Sequence, residues 1–380
     1  MRKPVILLGN GIRGNVALID KLRGLGIPIL TTWMGADLIA ETDPVYCGRP
    51  GTLGGRAANV IQQKATELYV FGARLDGGQT AFNPGGFSPN AETYYFDVDE
   101  SELAKLSDGN RNADQYFFCK DLRTTTTFST QNIVGDGNQE WLAWCKALYA
   151  RFRPELDRST TEQHNLDPFR FIDWLSSEAQ TTDILATGSS GQAAEIFMQT
   201  FKVKAGQRVM NCSTLGAMGA DIPMAIGAAV AHPDRRVICV TGDGGFVLNM
   251  QELEVVRRLK LNIKFFVIAN NGYGSIRSMQ NNRFEGRHVG CDPKSGMTLP
   301  LLWDVARAFR IEYSVFDLNH DYADQIMKPR PEIYQVPVDP NFVQYPRVMS
   351  NAQLEPDNME NMTPYLDQID LAGLMAWGNG

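Results

Sequence analysis

Two short segments carry side chains that could do chemistry: Gly242-Asp243-Gly244-Gly245-Phe246 and Asn270-Asn271-Gly272-Tyr273-Gly274. Each follows an apolar run, residues 236–241 and 264–269, that reads as a buried strand. A carboxylate and a carboxamide at neighbouring strand ends suit a hard divalent cation. Mg²⁺ takes about six oxygen ligands at about 2.0–2.1 Å, commonly a carboxylate, neutral oxygens, water and phosphate. Gly244 and Gly245 open the next turn, where N–H groups with no Cβ nearby could face a phosphate. Taken alone, Gly-Asp-Gly is equally an ordinary strand-to-helix turn with a capping aspartate. The asparagine segment at the matching place argues for the cation.

The surrounding elements are those of an α/β protein. Residues 4–8, 27–31, 68–72 and 93–98 read as strands, with helical spacing at Val16, Ile19 and Leu22 between the first two. Strands alternating with helices imply a parallel sheet, and ligands of such sheets bind at the carboxyl ends of strands. Residues 151–168 are polar, contain two prolines and read as a linker. A second α/β unit follows: a helix over 169–177, a strand over 184–187, the turn Gly188-Ser189-Ser190-Gly191-Gln192, and a helix over 193–201. Residues 223–232 suit a tightly packed helix, and 246–259 place Leu248, Leu253, Val256 and Leu259 on one helical face. Beyond about residue 330, the many Pro, Asn and Asp residues suggest a tail that wraps and builds no core. The organisation expected is therefore two doubly wound parallel-sheet domains, 1–150 and 169–345, joined by the linker 151–168 and followed by a tail at 346–380.

Residues from about 180 to 345 resemble the diphosphate-binding domain of thiamine-diphosphate enzymes of the acetolactate synthase branch. Residues 1 to about 145 resemble that branch's middle domain, a Rossmann-like fold, through 48–59, Gly72-Ala73-Arg74-Leu75-Asp76 and Asp97-Val98-Asp99. The resemblance implies a thiamine diphosphate and Mg²⁺ site. In it Asp243 is the carboxylate ligand, Asn270 the carboxamide ligand and Gly272 the donor of a backbone carbonyl. Ala269 departs from the family's asparagine pair, and a shift of one residue would make Asn271 the ligand instead. Ser190, Gly191 and Gln192 match the turn on the other side of the diphosphate. Leu215-Gly216-Ala217-Met218-Gly219 matches the aminopyrimidine segment, with the Gly216 carbonyl accepting from the amine and Met218 as the apolar wedge that bends the cofactor. A methionine there is otherwise ordinary core.

The segment 275–290, with Arg283, Arg287 and His288, falls where the family closes over substrate, and either arginine could pair with a substrate carboxylate. A solvated surface segment is the competing reading. Arg74 and Asp76 match residues near the FAD of some relatives and a vestige in others. The vestige is preferred, and Gly9-Asn10-Gly11 is too short and irregular for a dinucleotide fingerprint.

The activity implied is decarboxylation of a 2-oxo acid such as pyruvate, with transfer of the two-carbon unit to a carbonyl acceptor. A simple decarboxylase and a non-catalytic cofactor-binding or assembly protein are the alternatives. Relatives take an activating glutamate from a pyrimidine-binding domain across a subunit interface, and no stretch of this sequence resembles that domain. A separate subunit supplying it, in a split hetero-oligomeric enzyme, is the preferred expectation, with truncation and a non-catalytic remnant also open. No residue of this chain is assigned a catalytic role.

Composition limits the other classes. The 380 residues are 43% hydrophobic and 21% charged, as in a soluble enzyme of two domains. A net charge of −7 and the absence of a dense Lys/Arg run argue against nucleic acid. No apolar run reaches the roughly 18 residues of a membrane span. Residues 5–8 read as a first strand in preference to a signal peptide. The six cysteines show no CxxC pair, Cys239 reads as a buried strand thiol, and reduced thiols fit a cytoplasmic protein.

Overall fold

The computed structural model describes residues 1–107, 113–125, 133, 138–153, 166–350 and 357–378. Most of the linker expected at 151–168 lies outside the described residues. The chain divides into two compact units, Met1–Ser159 with Tyr345–Gly380, and Thr160–Gln344. Each is a parallel sheet with interleaved helices, the α/β architecture expected.

The first unit is built on β1 (Pro4–Leu8), β2 (Ile29–Thr31), β3 (Glu67–Phe71), β4 (Glu92–Asp97) and β5 (Gln115–Cys119), in the order β2-β1-β3-β4-β5. β1 and β3 are buried throughout, which is why residues 4–8 and 68–71 read as apolar runs. The glycines of the first turn serve close backbone packing. Gly9 N–H donates to the Phe71 carbonyl at 2.8 Å, and a Cβ on Gly9 would stand 2.2 Å from the Gly72 oxygen. Aromatic side chains stack in register across three strands: Tyr69, Tyr94 and Tyr116 in one file, Phe71, Phe96 and Phe118 in the next, with centroids 4.7–4.8 Å apart.

The C-terminal stretch, read as a wrapping tail, belongs to this first unit and also fills its core. Val348, Met359 and Met362 are buried there. The buried Arg56 donates to the Met362 and Pro364 carbonyls at 2.9 and 2.7 Å, and Trp377 stacks on Trp144. Arg56 and Asn59 lie on the helix Arg56–Gln63, whose residues are all buried.

The second unit is built on β6 (Ile184–Thr187), β7 (Arg208–Met210), β8 (Val237–Gly242), β9 (Ile263–Ala269), β10 (Glu312–Val315) and β11 (Glu332–Pro337), in the order β10-β11-β9-β8-β6-β7. One expectation fails here. Residues beyond 330 do form core, because β11 pairs with β9 along six residues and buries Ile333, Tyr334 and Val336. The single helix expected over 246–259 also breaks up. Asp243–Phe246 is one short turn, Met250–Glu252 is 3₁₀, and the helix proper is Leu253–Leu259. Leu253 and Val256 are buried, whereas Leu248 and Leu259 are exposed. The break falls at Asn249, whose φ of −133° is not helical and whose side-chain amide donates to the Gly219 carbonyl at 3.0 Å.

Candidate cofactor and cation site

All ten residues expected at the site lie in the second unit, in the turns and helix starts that follow β6, β7, β8 and β9. β8 and β9 are adjacent and parallel, with Gly242 opposite Ile268. Their carboxyl ends therefore deliver Asp243 and Asn270 side by side, as the general placement of ligands in parallel sheets requires.

The two motifs are joined by hydrogen bonds to one carboxylate. Asp243 Oδ1 accepts from Gly244 N–H at 2.8 Å, and Oδ2 accepts from Asn271 N–H at 2.7 Å and Gly272 N–H at 3.3 Å. Asp243 is only 5% exposed. Burial pushes its carboxyl from the ordinary value near 3.8 up to about 6, while those three N–H groups and Arg277 pull the other way. A buried carboxylate in this position gains from a cation.

Asn270 supplies the test of fit. Its Nδ2 donates to Gln192 Oε1 at 3.0 Å, but its Oδ1 is buried with no hydrogen-bond partner. A buried acceptor left unpaired costs about 1–3 kcal/mol, so such an atom calls for a ligand. A divalent cation beside Asp243 fits that demand. Asn271 is exposed, holds φ +60°, and uses its backbone N–H on Asp243. The orphaned oxygen favours Asn270 over Asn271.

Glycines clear the space around these groups. A Cβ on Gly244 would lie 2.5 Å from the Tyr273 ring and 3.7 Å from the Gly272 carbonyl oxygen, so that carbonyl faces the aspartate turn. Gly272 has φ +133°, and a Cβ there would stand 2.3 Å from the Cys291 carbonyl oxygen. Only glycine fits.

The remaining expected residues are placed as follows. Gln192 meets Asn270 directly. Gly191, with φ +68°, starts the helix Gly191–Thr200, and its N–H donates to Glu195 Oε1 at 3.1 Å, which a phosphate arriving there must displace. Ser190 is exposed and its side chain makes no capping bond to that helix. Gly216 sits at φ +63° with open space where a Cβ would go. The Gly216–Gly219 turn abuts the aspartate motif, because a Cβ on Gly219 would stand 3.0 Å from the Gly245 carbonyl. Met218 is 41% exposed on that turn and Leu215 is 85% exposed. Arg283 and Arg287 are exposed at the end of the helix Gly274–Arg283 and in the turn after it, while His288 contacts Asn281 and Asp292. In the first unit Arg74 pairs with Glu102 at 3.2 Å, and Asp76 Oδ1 accepts from Gln79 N–H at 3.0 Å within its own turn.

Two residues were missed from sequence. Arg277, 3% exposed, donates to the Asn270, Asn271 and Pro340 carbonyls at 3.3, 3.0 and 2.6 Å, so it holds the asparagine loop in shape. Asp221, 2% exposed, begins the helix Asp221–Ala231, and one of its oxygens lies 3.7 Å from the place of a Gly188 Cβ. Burial raises its carboxyl above the usual range. Neither carries a motif; only its contacts identify it. Cys239 is a buried thiol of β8, as expected, and all six cysteines are free.

Residues 189–329 match the family model described as thiamine pyrophosphate enzyme, C-terminal TPP binding domain. Residues 1–126 match thiamine pyrophosphate enzyme, central domain. The chain is 30% identical over 309 residues to the acetolactate synthase large subunit of Cyanidium caldarium, covering 78% of this chain and 50% of that protein. It is 26% identical over 360 residues to the acetolactate synthase isozyme 1 large subunit of Escherichia coli strain K12, covering 92% and 61%. With the large subunit of Porphyra purpurea the figures are 29% over 369 residues, 93% and 60%. The chain thus spans about half to three-fifths of the length of the curated relatives it matches.

Proposed function

The chain belongs to the thiamine pyrophosphate enzyme family, and from that premise we propose that it is the diphosphate-binding part of an acetolactate-synthase-like lyase or transferase acting on 2-oxo acids. The observation that carries this reading is the buried, unpartnered Asn270 Oδ1 beside the buried Asp243 carboxylate. Asp243, Asn270 Oδ1 and the Gly272 carbonyl would hold Mg²⁺, a hard-oxygen set. Gly244 spends its N–H on Asp243, so of the glycine pair Gly245 is the one to meet a phosphate. Ser190, Gly191 and Gln192 would approach the diphosphate from the β6 side, and Gly216 and Met218 would hold the aminopyrimidine. Bound thiamine diphosphate supplies the electron sink that lets a 2-oxo acid lose carbon dioxide. The chain's own contribution is to hold the cation, fix the turn geometry through Arg277, and offer an apolar wall at Met218.

We assign the activating carboxylate to a pyrimidine-binding domain on a separate subunit, in a hetero-oligomer. The exposed Leu215, Met218 and Leu248 support this, since they form an apolar surface beside the site. The preferred donor is pyruvate or a similar 2-oxo acid, and the acceptor is a second carbonyl compound. Free thiols at all six cysteines support a reducing, cytoplasmic setting; among the described residues no helix is long and apolar enough to cross a membrane.

Calorimetry with thiamine diphosphate and Mg²⁺, alone and with co-purified partner chains, tests this proposal. Cation-dependent binding by the chain, with turnover of pyruvate only when a second chain is present, is the expected result. Aldehyde release without an acceptor would mark a simple decarboxylase instead. Failure of the chain to bind cofactor under any of these conditions would overturn the proposal.

A further inference from the structure

Outside the cofactor site, one span of five residues gathers an imidazole, a thiol and a carboxylate. His288, Cys291 and Asp292 each offer a ligand atom, and these atoms lie within 4.8 Å of one another. Among the described residues this is the one group of three such side chains so gathered.

The orientation of His288 points to a cation. Its Nε2 lies 2.7 Å from Asn281 Oδ1, an atom that only accepts, so Nε2 carries the hydrogen. Nδ1 faces Asp292 Oδ2, another acceptor, 3.2 Å away, either as a protonated donor or as a lone pair open to a metal ion. Two acceptors at that distance repel unless a proton or a metal ion lies between them. The neighbours resemble the outer shell of a metal site, in which a ligating histidine donates its second ring N–H to an oxygen and the ligating carboxylate is itself hydrogen-bonded. Ser295 N–H and Oγ–H donate to Asp292 Oδ1 at 2.8 and 2.7 Å, and the same Oγ lies 3.7 Å from Cys291 Sγ. Asp292 Oδ1 is thus held by Ser295, and Oδ2 is turned toward the histidine, with Arg277 Nε 3.7 Å away.

We propose that His288 Nδ1, Cys291 Sγ and Asp292 Oδ2 bind a zinc-class divalent cation, with water in the fourth position. Imidazole, thiolate and carboxylate form a borderline-soft set that suits Zn²⁺ over Mg²⁺. Ligand atoms around tetrahedral zinc stand about 3.3–3.8 Å apart, so the cluster closes by about 1.5 Å at most, within the reach of side-chain rotation. Binding releases the thiol proton, and thiolate plus carboxylate then balance the ion's two charges. The ion would clamp the span beside the Asn270 loop. Cys291 is wholly buried, its carbonyl accepts from Tyr273 N–H at 2.9 Å, and the same carbonyl packs on Gly272.

The test is titration of the full chain with Co²⁺ in excess Mg²⁺, read by absorption. The expected result is one Co²⁺ per chain with a thiolate-to-cobalt charge-transfer band in the near ultraviolet, displaced by Zn²⁺. Cys291→Ser should remove the band and weaken Zn²⁺ binding by about 100-fold or more, and His288→Gln should weaken it comparably. Cys119→Ser removes the exposed thiol and should leave the band. Asp243→Asn should also leave it, which separates this site from the cofactor cation. Circular dichroism of each variant establishes that it is folded. Absence of the band in the unsubstituted chain, or its survival in folded Cys291→Ser, would overturn the proposal. So would a His288 that titrates as an imidazolium paired with Asp292 without taking up Co²⁺.

Discussion

Replacing Asp243 by asparagine should make the cation-free protein less sensitive to rising pH. The folded carboxyl titrates near 6, against about 3.8 in the unfolded chain. The folded state therefore binds the proton more tightly, and the sign follows. Below about pH 4 the group is protonated in both states and costs nothing. From about pH 4 to 6 stability falls as pH rises, and above about 6 the penalty is complete. Two pH units at about 1.4 kcal/mol each give a penalty of about 3 kcal/mol. With Asp243 only 5% exposed, solvent screening removes little of it. Asparagine carries no charge at any pH. It does leave an amide group facing one of the N–H donors from Gly244, Asn271 or Gly272, a constant offset of about 1–3 kcal/mol. Urea unfolding of both proteins without Mg²⁺ isolates the pH-dependent part. The stability difference should move by about 3 kcal/mol in the variant's favour between pH 3 and pH 7. Adding Mg²⁺ and thiamine diphosphate at pH 7 should stabilise the aspartate protein and leave the variant unmoved. A difference that does not change with pH refutes burial as the source of the shift. Equal stabilisation of both proteins by the cation refutes Asp243 as its ligand.

Further outcomes follow from neighbouring residues. Asn270→Ala should weaken cation-dependent cofactor binding by about 10–100-fold and cost about 1 kcal/mol of stability, because Oδ1 has no partner to abandon and only the Nδ2 bond to Gln192 is lost; Asn271→Ala should leave affinity within about twofold, both by calorimetry. Gly272→Ala should lower stability by about 2–4 kcal/mol in thermal or urea unfolding, since its φ of +133° is strained for alanine and its Cβ meets a backbone oxygen. Arg277→Met should cost about 3 kcal/mol in the same assays and loosen the asparagine loop, seen as faster amide exchange at 270–272, because four carbonyls lose a buried donor.

The second unit was legible where its strands are buried on both faces. β8 and β9 run directly into Asp243 and Asn270, so apolar runs and polar strand ends together located the loops of the site. β11 was not legible, because the Pro, Asn and Asp residues around and beyond it read as tail chemistry. Its burial depends on β9 and on Lys264, whose ammonium donates to the Lys328 and Arg330 carbonyls just before the strand. The 246–259 stretch misled because helical spacing cannot see Asn249 leave the helix to bond Gly219. Arg277 was invisible for a similar reason. Its importance lies in the carbonyls it reaches, and nothing in a sequence reports on those. The ambiguity between Asn270 and Asn271 is one that spacing leaves open and that one orphaned oxygen speaks to.

The two aromatic files of the first unit have a consequence for assembly of its sheet. β5 is an edge strand, the kind most prone to pair in the wrong register. On the stacked face β5 offers Tyr116 opposite Tyr94 and Phe118 opposite Phe96, while Phe117 meets Tyr95 on the other side. Sliding β5 by one position would turn Phe117 to the stacked face opposite either Tyr94 or Phe96, send Tyr116 and Phe118 to the opposite one, and leave one of the two files at two rings. The rings act as teeth of a ratchet, admitting this strand at one setting.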